Sequence, residues 1–193
     1  TLSVDWEHIP AKHRSLIKAF LDEADMSADA IKTVNFPPAY GADIVVSCEK
    51  AKDPKNGSIY LKPTQFVLGI GCRRDTAFEN IDRAIRQSLL KLQIDISDID
   101  MIASIDVKKD EPGIKEFCER NRIEFVTYTA DELMAVQGEF SASQFVREHV
   151  GVDNVCERAA VLACSRECNE AGELIYKKHK YDRVTVAAAR YPD

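Results

Sequence analysis

The sequence predicts an α/β fold: a three-layer sandwich with a mainly parallel central sheet and an antiparallel edge hairpin. Three observations carry this reading. From residue 65 onward, short apolar runs alternate with amphipathic stretches of helical period. Helix-start signals come directly after several of those runs. The chain then closes on two β-rich runs, "ELIYKK" and "RVTVAAAR", around a polar turn. Strand–helix–strand–helix–strand order implies right-handed crossovers and a parallel core.

In chain order, residues 8–22 place Ile9, Leu16, Ile17, Phe20 and Leu21 on one helical face. A shorter helix is expected over 27–34, capped by Ser27. "ADIVVSC" (42–48) reads as a buried strand, and "KAKDPKNG" (50–57) as a linker. Residues 65–71 form a strand. A helix over 77–92 comes next, with Phe78, Ile81, Ile85, Leu89 and Leu92 on one stripe and a capping box from Thr76 and Glu79. "IDMIASID" (99–106) is the next strand. Asp110, Glu111 and Pro112 open a helix through Asn121, with acid and proline where helix starts favour them. "IEFVTYT" (123–129) is a third strand, and Thr129 with Glu132 caps a short helix. Residues 140–151 read as a helix capped by Ser141 or Ser143 and ended by Gly151. Asp153 is expected to cap "NVCERAAVLACS", whose alanines suit close packing on a sheet. The domain division expected is 1–58 and 59–193.

The chain has 193 residues and a net charge of −6, which argues against a sequence-independent nucleic-acid binder. No stretch approaches the roughly 20 apolar residues of a membrane helix. With no secretion signal at the start, the expected location is the cytoplasm, with the six cysteines as free thiols. Cys164 and Cys168 lie one helical turn apart and suit either a metal or two thiols on an alanine-rich helix. The favoured reading is thiols, with no metal site. Thr1 in place of Met suggests a processed chain or a fragment, and a fragment is the reading adopted.

The chemistry-bearing stretch is "FVLGIGCRRDT" (66–76). Ligands of open α/β sheets bind beyond the carboxyl ends of the strands. Gly69 and Gly71 permit close backbone approach, and Gly71 suits positive φ. Exposed amides at the helix start favour an anion, Thr76 among the groups there, and Arg73 and Arg74 add bidentate contacts. The plainer alternative is tight strand–helix packing with solvated arginines. Cys72 is either a thiol of lowered pKa beside two arginines or a small apolar filler; filler is the favoured reading. The next strand end brings Ser104, Asp106, Lys108, Lys109, Asp110 and Glu111 to one loop on the same rim. Asp106 is the weak candidate for a catalytic base, or simply caps a turn. "YKKHKYDR" (176–183) is a basic patch, read as a solvated hairpin turn. No Walker loop, no G-x-S-x-G elbow and no histidine metal spacing occurs.

"LGIGCRRDT", "ASIDVKKDEPGIKEF", "FVREHVGVDNVCERAAVLA" and "VTVAAAR" together resemble the C-terminal domain of the CbiG/CobE family, over about residues 60 to 190. The first 60 residues resemble the tail of the family's middle region. CbiG is cobalt-precorrin-5A hydrolase; CobE is the same domain standing alone. The resemblance implies a part in cobalamin biosynthesis: opening a ring lactone with water and releasing acetaldehyde. The implied substrate is a cobalt-bearing tetrapyrrole ringed by carboxylate arms, with the cobalt carried by the substrate and no cofactor bound by the protein itself. The alternative implied is a non-catalytic tetrapyrrole-binding or carrier module. Implied partners are the tetrapyrrole, other enzymes of the pathway and a second copy in a homodimer, with neither nucleic acid nor membrane. The residues assigned to substrate binding are Gly69, Gly71, Cys72, Arg73, Arg74, Thr76, Ser104, Asp106, Lys108 and Lys109. Two departures stand out. Asp75 occupies the place of the glycine in the family's usual C-R-R-G-T turn, and the family's N-terminal G-H-x-G-G-A-N stretch is absent from this sequence.

Overall fold

A computed structural model gives the architecture. It describes residues 65–141, 151–168 and 171–192, together with positions 2–4, 6, 9, 13–14, 17–19, 21, 31–33, 44–46 and 59–61. The expected Ser27 cap and 50–57 linker lie outside the described residues, as does all but the ends of the expected 140–151 helix. The chain forms two compact units, Thr1–Gln65 and Phe66–Pro192.

In the first unit, β1 (Leu2–Val4), β2 (Ile31–Thr33), β3 (Ile44–Val46) and β4 (Ile59–Leu61) make a parallel sheet in the order β2-β1-β3-β4. Helical positions occur at 13–14, 17–19 and 21, within the expected 8–22 helix. Ile9 and Leu21 pack with Val4, against Trp6 and Ile17. The helix expected over 27–34 is corrected: 31–33 is a strand paired with β1. β-Branched Ile31 and Thr33 disfavour a short helix, and parallel pairing supplies the backbone bonds that an isolated turn lacks. β4 pairs with β3 in this first unit.

The second unit is a five-stranded sheet in the order β7-β6-β5-β9-β8. Strands β5 (Phe66–Cys72), β6 (Ile99–Ile105) and β7 (Glu124–Tyr128) run parallel. β9 (Val184–Arg190) is antiparallel to β5, and β8 (Glu173–Lys180) closes the hairpin at the edge. On one face, Phe66, Leu68 and Ile70 pack against helices α1 (Phe78–Leu92) and α2 (Pro112–Asn121) through Ile81, Ile85, Leu89, Ile114 and Phe117. On the other, Val67 meets α4 (Val155–Cys168) through Ala159, Ala160 and Ala163, with Leu133 of α3 (Ala130–Ala135) alongside. Period-two alternation along β5 serves both layers.

Cap details differ from expectation in two places. Thr76 does not cap α1. Ala77 is the N-cap without a side-chain bond, because Glu111 from the next crossover accepts the Thr76 N–H at 2.9 Å and the Thr76 hydroxyl donates to the Arg73 carbonyl at 2.7 Å. Asp153 does not cap α4. Asn154 Oδ1 accepts the Glu157 N–H at 2.9 Å, while Asp153 pairs with Arg158 at 2.8 Å. The Thr129–Glu132 capping box forms as expected at α3.

Candidate functional site: the rim at the strand ends

The carboxyl ends of β5 and β6 and the β8–β9 turn meet at one rim. Residues 73–76 make a tight turn closed by the Thr76 hydroxyl, with Asp75 at φ 55°. That left-handed conformation favours glycine, and it accounts for the glycine usual at this place in the resembled turn. Gly71, expected to take positive φ, does not; the special backbone position lies four residues later.

The two glycines differ in purpose. A Cβ on buried Gly69 would lie 1.8 Å from the Cys156 carbonyl oxygen, so this glycine lets α4 approach the strand. Its open side is filled by backbone, leaving no room there for a ligand. A Cβ on Gly71 would meet only the Thr185 hydroxyl oxygen at 2.7 Å and Val155 Cβ at 3.9 Å. Ser104 is fully buried and donates to the Ile70 carbonyl at 2.7 Å, locking β6 to β5. Gly69 and Ser104 thus shape the rim from beneath.

Cys72 is half-buried, and burial pushes its thiol up to about 11, outweighing the opposing pull of Lys108 and Arg183. It is a filler rather than an activated nucleophile at neutral pH. The charges of Lys108, Glu111 and Arg183 all act on the Cys72 thiol.

Lys108 ion-pairs with Glu111 at 2.8 Å, both side chains being largely buried. Glu111 therefore ties the β6–α2 loop to the β5–α1 turn, one oxygen to Lys108 and the other to the Thr76 amide. What remains for a ligand is outermost: Arg73, Arg74 and Lys109 are exposed, and among the described residues none of their side chains has an ion-pair partner. Asp106 is half-buried in a single 3-10 turn, Asp106–Lys108, where its backbone carbonyl accepts from Lys109 at 3.0 Å. Among the described residues no group of three His, Cys, Asp or Glu converges as a metal site. Cys164 is buried, and the Cys168 side chain lies outside the description.

The basic patch is not simply a turn. Lys177–Lys180 belong to β8, and only residues 181–183 turn. Lys178 donates its backbone N–H to Glu157 at 2.6 Å. Glu157, fully buried in the first turn of α4, also accepts the Ser141 amide and hydroxyl, each at 2.8 Å. Several charge-assisted bonds offset the desolvation of that carboxylate. Sequence reasoning missed this cluster. Its available signal was the N-x-x-E spacing of Asn154 and Glu157, a capping pattern whose acid turned inward.

These features define a class: an open mixed α/β domain whose strand ends present a cationic rim. The comparison with known families makes it particular. The model described as Cobalamin synthesis G C-terminus matches residues 66–189, most of the second unit, and the chain belongs to that family. Cobalt-precorrin-5A hydrolase from Salmonella typhimurium (strain LT2) is 38% identical over 102 residues, 53% of this chain and 29% of that protein. Cobalt-precorrin-5A hydrolase from Priestia megaterium is 31% identical over 138 residues, 72% of this chain and 35% of that protein. The chain thus spans about a third of the length of these relatives. CobE, a protein from the cobalamin (vitamin B12) biosynthetic pathway, superposes with a TM-score of 0.61 at 26% identity, over 65% of this chain and 89% of CobE.

Proposed function

We propose that this chain supplies the C-terminal part of a cobalt-precorrin-5A hydrolase in cytoplasmic cobalamin biosynthesis, and that its rim grips the substrate's carboxylate arms. Arg73, Arg74 and Lys109 are the groups that reach those arms. The observation that carries the reading is the lack of an ion-pair partner for Arg73 and Arg74 among the described residues, on a turn held rigid by Thr76 and Glu111. Guanidinium groups suit planar carboxylates, and a turn whose backbone is already fixed lowers the cost of binding. Asp106, like Asp75, is a rim carboxylate with no side-chain partner among the described residues; half-buried at the end of β6, it is the candidate base for activating water at the ring lactone. The cobalt belongs to the substrate.

The test is incubation of the chain with cobalt-precorrin-5A, following acetaldehyde release and binding together. Wild type should bind the precorrin and release acetaldehyde, and Asp106→Asn should bind without release. Arg73→Ala with Arg74→Ala should weaken binding by about 1.5–3 kcal/mol per charged hydrogen bond lost. Binding without release by wild type would mark a binding module of the CobE type. Unchanged affinity in the folded double variant would refute the grip.

A further inference from the structure

The β8–β9 turn brings one more cation to the rim. Arg183 Nη2 donates to the Arg74 carbonyl at 2.9 Å, and the Arg183 carbonyl accepts the Arg73 N–H at 3.0 Å. Asp182, the neighbouring acid, is engaged by Asn80 Nδ2 at 3.1 Å. The hairpin tip is therefore stitched to the arginine turn and the start of α1 by three bonds. Arg183 itself sits at φ 61°, the left-handed region, where glycine or asparagine is the easy choice and an arginine side chain has a steric cost.

Charge placement makes that choice informative. Elsewhere in the unit, Arg86, Arg120, Arg158, Arg166 and Arg190 each pair with a carboxylate, while exposed Arg83 and Arg122, far apart in sequence, have no such pair among the described residues. At the rim, Arg73, Arg74 and Arg183 have no ion-pair partner among the described residues. The nearby acid Glu111 uses both oxygens on Thr76 and Lys108, and Asp75 projects from the same turn without pairing with any of the three. Three exposed guanidiniums on two turns joined by hydrogen bonds, one of them on a left-handed backbone, offer an external anion several donors at once.

We propose that Arg183 is the third cation of the rim, holding the Arg74 carbonyl with one donor and presenting its other donors to the same polycarboxylate that Arg73 and Arg74 meet. This rests on the reading of the rim as a carboxylate grip and adds a residue from a different part of the chain. Its specificity is for ligands carrying two or more carboxylates spaced around a macrocycle.

Two probes test it: uroporphyrin, a tetrapyrrole with acetate and propionate arms, and dicyanocobinamide, a corrinoid whose arms are amides. The informative variant is Arg183→Gly, because glycine suits the local φ and keeps the fold. Its melting temperature should equal or exceed that of wild type. Its affinity for uroporphyrin should fall about five- to tenfold, with a shallower salt dependence, while dicyanocobinamide binding stays unchanged. Wild-type affinity for uroporphyrin in Arg183→Gly, alongside weakened binding in Arg73→Ala, overturns the role of Arg183 and leaves the grip standing. Equal loss for both probes makes Arg183 structural and also overturns it. No uroporphyrin binding by wild type, or none lost in Arg73→Ala, removes the grip and this inference together.

Discussion

Gly69→Ala is the sharpest test of how the rim is built. The added methyl carbon would sit 1.8 Å from the Cys156 carbonyl oxygen, 2.7 Å from its carbon and 3.0 Å from the Ala160 nitrogen. The first contact is more than an ångström inside the 3.0 Å limit below which real Cβ atoms are essentially never found, and every clashing atom is helix backbone. No side chain can rotate away, so α4 must lift off β5 and loosen the packing of Ala159, Ala160 and Ala163. Overpacking costs about 1–3 kcal/mol, occasionally more. A backbone-on-backbone clash at the centre of the sheet belongs at the top, about 3 kcal/mol or above, reduced by up to ~1 kcal/mol because alanine loses less entropy than glycine. Gly71→Ala is the control. Its Cβ meets only the rotatable Thr185 hydroxyl, and loss of the Thr185 bond to the Gly71 carbonyl is offset by the same entropy term. It should stay within about 0.5 kcal/mol of wild type. Hydrogen exchange of the β5 and α4 amides under mild denaturant reads the second unit alone. Equal exchange in Gly69→Ala and wild type, or equal destabilisation by both variants, would refute the packing account.

The same geometry sets other expectations. Asp75→Gly relieves a left-handed aspartate and removes a negative charge beside Arg73 and Arg74; it should stabilise by about 1 kcal/mol and tighten uroporphyrin binding, read by melting and titration. A lower melting temperature would count against the turn geometry. Cys72, with its thiol pushed up to about 11, should react slowly with iodoacetamide at pH 7–8 and accelerate only in strongly alkaline solution; rapid alkylation at pH 7 would contradict its burial. Glu132 is held down to about 2 from 4.5 by the Thr129 backbone N–H first, then by Arg166 and the Thr129 hydroxyl. A depressed carboxyl stabilises fully above its unfolded value and loses that contribution as pH falls from about 4.5 through 2. Acid titration of Glu132→Gln should show a shallower stability loss over that window than wild type, and parallel curves would show that the capping box adds nothing.

Legibility in the sequence tracked the range of the interactions. β5, β6, β7 and α1 announced themselves through local apolar runs and period, and α2 through Pro112 at its start. The Thr129–Glu132 box was readable because both partners lie within one turn. Thr76 carried the same signature and failed as a cap because Glu111, 35 residues away, takes its amide. Arg183 read as a solvated turn because its partner carbonyl is 109 residues distant. Glu157 shows no exposed polarity at all, since its carboxylate is satisfied by Ser141 and by a strand from the end of the chain. Local propensity cannot register contacts of that separation.

The distribution of charge, more than any single motif, argues for a ligand at the rim. This chain carries an excess of acid, at −6, so carboxylates were available to neutralise every arginine. Inside, they are used as ties: Glu111 joins two loops, and Glu157 joins α4, β8 and the segment at Ser141. On the helices and on β9 they pair with arginines. At the strand ends Arg73, Arg74, Lys109 and Arg183 are all exposed, and none has such a partner among the described residues, a lack that Arg83 and Arg122 share elsewhere in the unit. Gathering like charges on one edge carries some repulsion, screened by solvent at exposed positions. Three separate loops deliver them to one edge, each fixed by hydrogen bonds: the turn at 73–76 through Thr76, the loop at 106–109 through Asp106 and Lys109, and the hairpin tip through Arg183. A polyanion bridging the loops would turn that repulsion into binding energy, and its arms would have to span the turn at 73–75, the loop at 106–109 and the tip at 183 at once.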